Sequence, residues 1–178
     1  MSRLVLSFSG RKDGNCDGIG RCVSGLTGAD FIRFADLHAQ PCGECDYECL
    51  RGGACPKKDG VFRLYDQIAA AEECVFLLPN YADFPCAQFF IFAERGTGWF
   101  GGSEEKLARY MAVPKKAIVI SGGAEESFRH ALSMQADRLE FLFISAKEYG
   151  QGSLEGHLAE NEAACARARA FLEGKLCT

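Results

Sequence analysis

The sequence lacks a basic excess, a long apolar run, an internal repeat and a low-complexity tract, and these absences remove several classes of function. Twenty Lys and Arg stand against 24 Asp and Glu, a formal net charge of −4. Nothing in that balance points to nucleic acid, and an anionic ligand would need a local site. No apolar stretch approaches the roughly 20 residues that cross a bilayer, so no membrane span is expected. The N-terminal apolar stretch beginning at Arg3 runs straight into Gly10-Arg11-Lys12, without the long core and small-residue cleavage site of an export signal. It reads as a first strand of a cytoplasmic protein. The histidines, His38, His130 and His157, are scattered and form no metal or nucleophile constellation.

What is present is an ordinary globular composition. The 178 residues are 48% hydrophobic and 25% charged, enough for one domain with its own core and too few for two. Short apolar runs at Leu4–Phe8, Phe31–Ala35, Cys74–Leu78, Ala117–Ser121 and Leu139–Ser145 read as buried parallel strands. Helical stripes alternate with them. Val61, Leu64, Tyr65 and Ile68 form one, Phe128, Ala131 and Leu132 another, and Leu154, Leu158, Cys165, Ala168 and Leu172 a long C-terminal one. The pattern predicts an α/β three-layer sandwich with a doubly wound five-stranded parallel sheet over residues 1–178. The stretch Cys86–Ala93 is apolar on almost all sides, which predicts a homodimer or higher homo-oligomer that covers it. Trp99, in the Gly-rich stretch Arg95-Gly-Thr-Gly98, is expected as a flap or a partner contact, and Lys115-Lys116 as a solubilising turn.

Two segments stand out. Ser9-Gly10-Arg11-Lys12-Asp13-Gly14-Asn15-Cys16 follows the first strand and leads into a helix, where unpaired N–H groups and the dipole favour an anion. It matches neither the Walker spacing nor the dinucleotide Gly-x-Gly-x-x-Gly pattern. The helix after it carries Gly18, Gly20, Gly25 and Gly28, and is expected to be the least secure of the set.

The other is an irregular insertion, His38–Gly60, which follows the second strand. Ten cysteines are many for a chain of this size, and four fall here, as Cys42, Cys45, Cys49 and Cys55 in a C-x2-C-x3-C-x5-C spacing. Four such thiolates suit an iron–sulfur cluster or a zinc ion, and equally occur as free thiols or a labile disulfide. With few large apolar residues besides Tyr47 and Leu50, the insertion is expected to need a cross-link to become ordered.

The first loop resembles the Ser-Pro-Arg-x-x-Gly-Asn-Thr loop of the NAD(P)H-dependent FMN reductases and iron–sulfur flavoproteins, with Gly10 in place of Pro and Cys16 in place of Thr. Pro79-Asn80-Tyr81-Ala82-Asp83-Phe84-Pro85-Cys86-Ala87-Gln88 is similar to that family's Pro-x-Tyr segment, and Ser121-Gly122-Gly123 to another of its flavin-edge loops. The three matches are collinear and span roughly the first 125 residues. The resemblance implies a flavodoxin-like fold binding FMN, with hydride taken from NAD(P)H and electrons passed to a small-molecule or protein acceptor. Ser9, Arg11, Gly14, Asn15 and Cys16 would hold the phosphate, and Pro79, Asn80, Tyr81, Ala82, Phe84 and Gly122 would border the ring. The cysteine quartet would correspond to the family's compact motif for a 4Fe-4S cluster. Because the flavin carries the chemistry, no general acid or base is assigned. Two other readings are a non-enzymatic FMN electron carrier and a zinc-stabilised binding module without flavin.

Overall fold

The computed structural model describes residues 3–43, 45–120, 125–152 and 156–176. Its elements run β1 (Arg3–Ser7), α1 (Asn15–Thr27), β2 (Asp30–Arg33), α2 (Val61–Ala70), β3 (Glu73–Tyr81), β4 (Phe84–Pro85) and α3 (Ala87–Phe100). They continue as α4 (Glu104–Ala112), β5 (Lys115–Ile120), α5 (Glu125–Leu132), β6 (Leu139–Ile144) and α6 (Glu162–Leu172). Five strands lie parallel in the order β2-β1-β3-β5-β6, and β4 folds back antiparallel on the end of β3. The order reverses between β1 and β3, the point at which an open parallel sheet of this kind takes its ligand. Each strand expected from an apolar run overlaps an observed one; the two-residue β4 is additional. None of the described helices is long and apolar enough to cross a membrane.

Two cores flank the sheet because successive strand residues face opposite ways. Leu4, Leu6 and Phe8 join Phe76, Leu78 and Val119 under α2 to α5, where Tyr65 stacks on Phe92 with ring centroids 4.5 Å apart. Val5, Val75, Leu77, Ile118 and Ile144 meet Ile19 and Val23 of α1 and Ala164, Ala168 and Phe171 of α6 on the other face. The three-layer sandwich is therefore present, with α1 and α6 as one outer layer.

Several expectations need correction. The C-terminal stripe is not one helix: Leu158 belongs to a separate 3-10 turn, and Asn161 caps α6 by accepting from Ala163 N and Ala164 N. Leu154 lies outside the described residues. Trp99 is no flap. It sits inside α3, 5% exposed, with Nε1 donating to Asp66 Oδ1 at 2.9 Å. The glycines around it serve close approach rather than a loop, since a Cβ at Gly96 would stand 2.6 Å from the Tyr65 hydroxyl and one at Gly98 3.0 Å from Cys49 Sγ.

Lys115 and Lys116 are not a solvated turn. They open β5 while buried, and point to opposite layers. Lys115 Nζ donates to Tyr110 O at 2.6 Å and Val113 O at 3.1 Å, and Lys116 Nζ to Leu172 O at 2.8 Å. Each ammonium so satisfies carbonyls at a helix C-terminus, where a cation is favoured. Burial pulls Lys115 down to about 8, against the opposing charges of Cys74 and Asp137.

The glycines of α1 also prove to be contact points. A Cβ at Gly18 would lie 2.8 Å from Ala159 Cβ, and one at Gly20 2.5 Å from Phe31 Cε2. Their absent side chains let α1 sit close on β2 and on the segment before α6.

Candidate functional site

A pocket of about 190 Å³ opens outside the carboxyl ends of the strands. Ser9, Arg11, Gly14, Asn15 and Cys16 form one wall, Pro79, Asn80 and Tyr81 another, and Ile120 and Ala146 complete it. The loop after β1, the carboxyl ends of β3 and β5 and the segment after β6 thus converge on one cavity.

The first loop is built around a carboxylate that sequence reasoning missed. Asp17 is fully buried in the first turn of α1. Its oxygens accept from Ser7 Oγ at 2.6 Å, Asp13 N at 3.0 Å and Arg33 Nε at 2.6 Å. Asp13 takes a left-handed conformation, φ 57°, as the loop turns back toward the helix. Ser9 Oγ accepts from Arg11 N at 3.2 Å and tightens the other side. The only signal for Asp17 was an acidic residue in a helix's first turn, which reads as a dipole partner and not as a buried hub.

Gly14 caps α1 and brings no side chain to hydrogen-bond the first turn. The position that a capping oxygen would fill therefore remains available to an anion, and Arg11 on the pocket rim adds a charge. Asn15 Oδ1 accepts from Leu158 N at 3.0 Å, so this side chain also ties the loop to the C-terminal segment. Cys16 is buried, and that burial, with the neighbouring Cys86 and Asp17, pushes its thiol well above the ordinary range. It faces the pocket as a neutral group.

The third loop is a hairpin. Tyr81 pairs with Phe84 and Asn80 with Pro85, while Ala82 and Asp83 make the turn at φ 51° and 67°. Tyr81 and Phe84 are 55% and 56% exposed, an aromatic pair at the pocket mouth. Burial of the Tyr81 hydroxyl, with Cys16 and Cys86 nearby, raises it against the pull of Arg11 and a hydrogen bond with Ser9.

Most of the residues expected from sequence meet here. Ala82 and Phe84 stand beside the lining rather than in it, and Gly122, with Ser121 and Gly123, lies outside the described residues. Ile120 and Ala146 were missed. They sit at the carboxyl ends of β5 and β6, where the rule that ligands bind beyond those ends would have found them.

The cysteine insertion corrects the metal expectation. No three His, Cys, Asp or Glu side chains among the described residues are grouped to hold a metal ion, so Cys42, Cys45, Cys49 and Cys55 are not assembled as ligands. As placed, these thiols are not grouped to hold an iron–sulfur cluster or zinc. The insertion is anchored instead to α3. The buried Arg95 grips Asp59 through both guanidinium nitrogens, at 2.5 and 3.1 Å, and also donates to Gln40 O at 2.8 Å and Cys55 Sγ at 3.5 Å. Cys42 N donates to Glu94, and Cys49 packs at Gly98. Burial pushes Asp59 up, but hydrogen bonds from Arg95, Gln40 N and Val61 N and the Arg95 charge outweigh it, leaving the carboxyl below its ordinary 3.8.

No family model matches the chain, and no curated protein matches it significantly. Solved structures do. The Trp repressor binding protein from Bacillus subtilis superposes with a TM-score of 0.65 at 13% identity, covering 97% of each chain. The NAD(P)H:quinone oxidoreductase from Methanothermobacter marburgensis gives 0.66 at 13% identity over 98% of each chain. A flavoenzyme NAD(P)H:(acceptor) oxidoreductase from Paracoccus denitrificans gives 0.59 at 14% identity, covering 98% of this chain and 94% of that one. At such identities the likeness establishes the architecture, and the fold is flavodoxin-like.

Proposed function

We propose that the chain is an FMN-dependent oxidoreductase of the cytoplasm, taking hydride from NAD(P)H and passing electrons to a small-molecule or protein acceptor. The observation that carries this reading is the pocket at the sheet's switch point, lined from Ser9 to Cys16 on one side and from Pro79 to Tyr81 on the other. Two of the structural neighbours described above are named as NAD(P)H oxidoreductases, which supports the same reaction class. FMN, when bound, supplies the hydride-accepting and electron-donating chemistry. The protein's part is to hold and shield it. Backbone groups from Ser9 to Cys16 and the Arg11 charge would hold the phosphate, Asn15 would keep the loop in place, and Asn80, Tyr81 and Phe84 would border the ring.

Steady-state NAD(P)H oxidation by the FMN-loaded protein with a quinone acceptor tests the activity. Turnover that depends on added FMN is expected. Tight FMN binding without turnover would favour the non-enzymatic carrier. Arg11→Ala is expected to weaken FMN binding by about 1.5–3 kcal/mol, roughly 10- to 150-fold, through loss of a charge-assisted contact. Fluorescence titration reads this directly, and an unchanged affinity would make the loop merely structural.

The apolar excess of Cys86–Ala93 is smaller than the sequence suggested, because Phe89 and Phe92 are fully buried and Phe90, 47% exposed, is the one large apolar side chain of the run left exposed. We infer that Phe90 belongs, with Tyr81 and Phe84, to the face of a homodimer. Sedimentation at micromolar concentration is expected to show the dimer, and Phe90→Glu to dissociate it; a wild-type monomer would end the idea.

A further inference from the structure

We propose that the cavity between the insertion, the start of α2 and the end of α3 is a second binding site, for a small molecule carrying two or more phosphate groups. It encloses about 490 Å³ and shares no lining residue with the pocket at the carboxyl ends of the strands. The insertion lines it between Cys49 and Gly60, α2 at Phe62 and Arg63, and the end of α3 with the turn into α4 between Gly98 and Lys106.

The charge of this wall runs against that of the chain. The whole protein is acidic, with a net charge of −4, yet Lys57, Lys58, Arg63 and Lys106 line the cavity against one carboxylate, Asp59. Asp59 is already neutralised by the buried Arg95. None of the four cations forms an ion pair among the described residues, whereas the largely exposed Arg3, Arg21, Arg51 and Arg129 each have a carboxylate partner. Lys57 Nζ donates to Gln40 Oε1 at 3.3 Å, Lys58 Nζ to Cys55 O at 3.4 Å and Lys106 Nζ to Trp99 O at 3.2 Å. Each neutral acceptor occupies one of an ammonium's three donors and leaves the charge uncompensated. Arg63 has no hydrogen-bond or ion-pair partner among the described residues, so its planar fork is open to a phosphate. Like charges around a concave wall repel one another and focus the field between them, and an anion held there relieves the repulsion. A single negative charge would offset one cation of the four, so a ligand with several is favoured, and phosphate groups supply both the charge and the acceptor oxygens. The grip of Arg95 on the insertion thereby brings Lys57 and Lys58 to the same cavity as Arg63 and Lys106, which the helices supply.

Trp99, the chain's only tryptophan, lines this cavity and lies with its ring centroid 5.3 Å from Lys106 Nζ, so its emission reports on the site. The test titrates the full chain with tripolyphosphate at fixed ionic strength, read by Trp99 fluorescence and by calorimetry. Saturable binding of one tripolyphosphate at this site is expected, tighter than that of inorganic phosphate and weakened by added salt. Arg63→Ala, at an exposed position, should weaken it by roughly tenfold, and Lys57→Ala with Lys58→Ala should weaken it further. Arg11→Ala should leave the titration unchanged, which separates this site from phosphate recognition by the first loop. A flat response in both measurements would overturn the proposal. So would an affinity that Arg63→Ala leaves intact and Arg11→Ala abolishes, since the anion would then be seated in the first loop. An equal response to sulfate would reduce the effect to general screening of surface charge and overturn it as well.

Discussion

Asp17→Ala is expected to destabilise the protein by about 3–5 kcal/mol and, on the proposed function, to abolish FMN binding with it. The side chain is wholly buried and holds three donors from three parts of the chain: Ser7 at the end of β1, Asp13 in the loop and Arg33 at the end of β2. Removing it leaves the Arg33 guanidinium with only its surface partner Asp36 and leaves two further donors without an acceptor. Asp17→Asn keeps the volume and one acceptor oxygen while removing the charge, so its loss should be smaller. Urea unfolding measures both. A loss under about 1 kcal/mol in the alanine variant would show that Asp17 is not the hub of this loop.

Arg95→Ala should have an effect of similar size, confined to a different place. The guanidinium is 2% exposed and its Asp59 partner 9%, so truncation strands a buried carboxylate, typically a loss of about 3–5 kcal/mol. The expected result is rapid proteolysis within His38–Gly60 while the sheet stays folded. Arg95→Lys should fail to rescue, since an ammonium does not reproduce the two-pronged grip. Chelators should leave the wild-type insertion intact. Chelator-induced cleavage of wild type, with an intact Arg95→Ala variant, would restore the metal-centre reading.

The same pair sets a pH dependence. Asp59 titrates below its ordinary value of 3.8 in the folded protein. Its contribution is therefore fully present above about pH 4 and is lost as pH falls through the lower folded-state value. Acid should loosen the insertion in wild type and change the Arg95→Ala variant less.

What was legible in the sequence is what local chemistry writes there. Apolar runs marked the buried strands because β3 and β5 are covered on both faces, and the loop from Ser9 to Cys16 announced itself by glycine and position. What was not legible depends on partners distant in the chain. Lys115 and Lys116 look like any surface pair until helix-end carbonyls from Tyr110 and Leu172 come to meet them. Gly96 and Gly98 look like a loop until Tyr65 and Cys49 need the space. The cysteine spacing resembles a ligand set, yet Arg95, some forty residues further on, does the ordering that a metal was expected to do. Asp17 hid for the same reason: neither Ser7 nor Arg33 marks itself in the sequence as its partner.

The hairpin beside the pocket has a kinetic consequence. With Ala82 and Asp83 both left-handed, its turn is of type I′, whose twist matches the strands it joins, and the ladder sets Tyr81 and Phe84 directly opposite each other. A planar ligand reaching the mouth meets a landing surface that already exists. Its capture is then governed by diffusion and orientation, with no waiting time for a segment to organise. Competing flat molecules should arrive at similar rates and be told apart by how long each one stays.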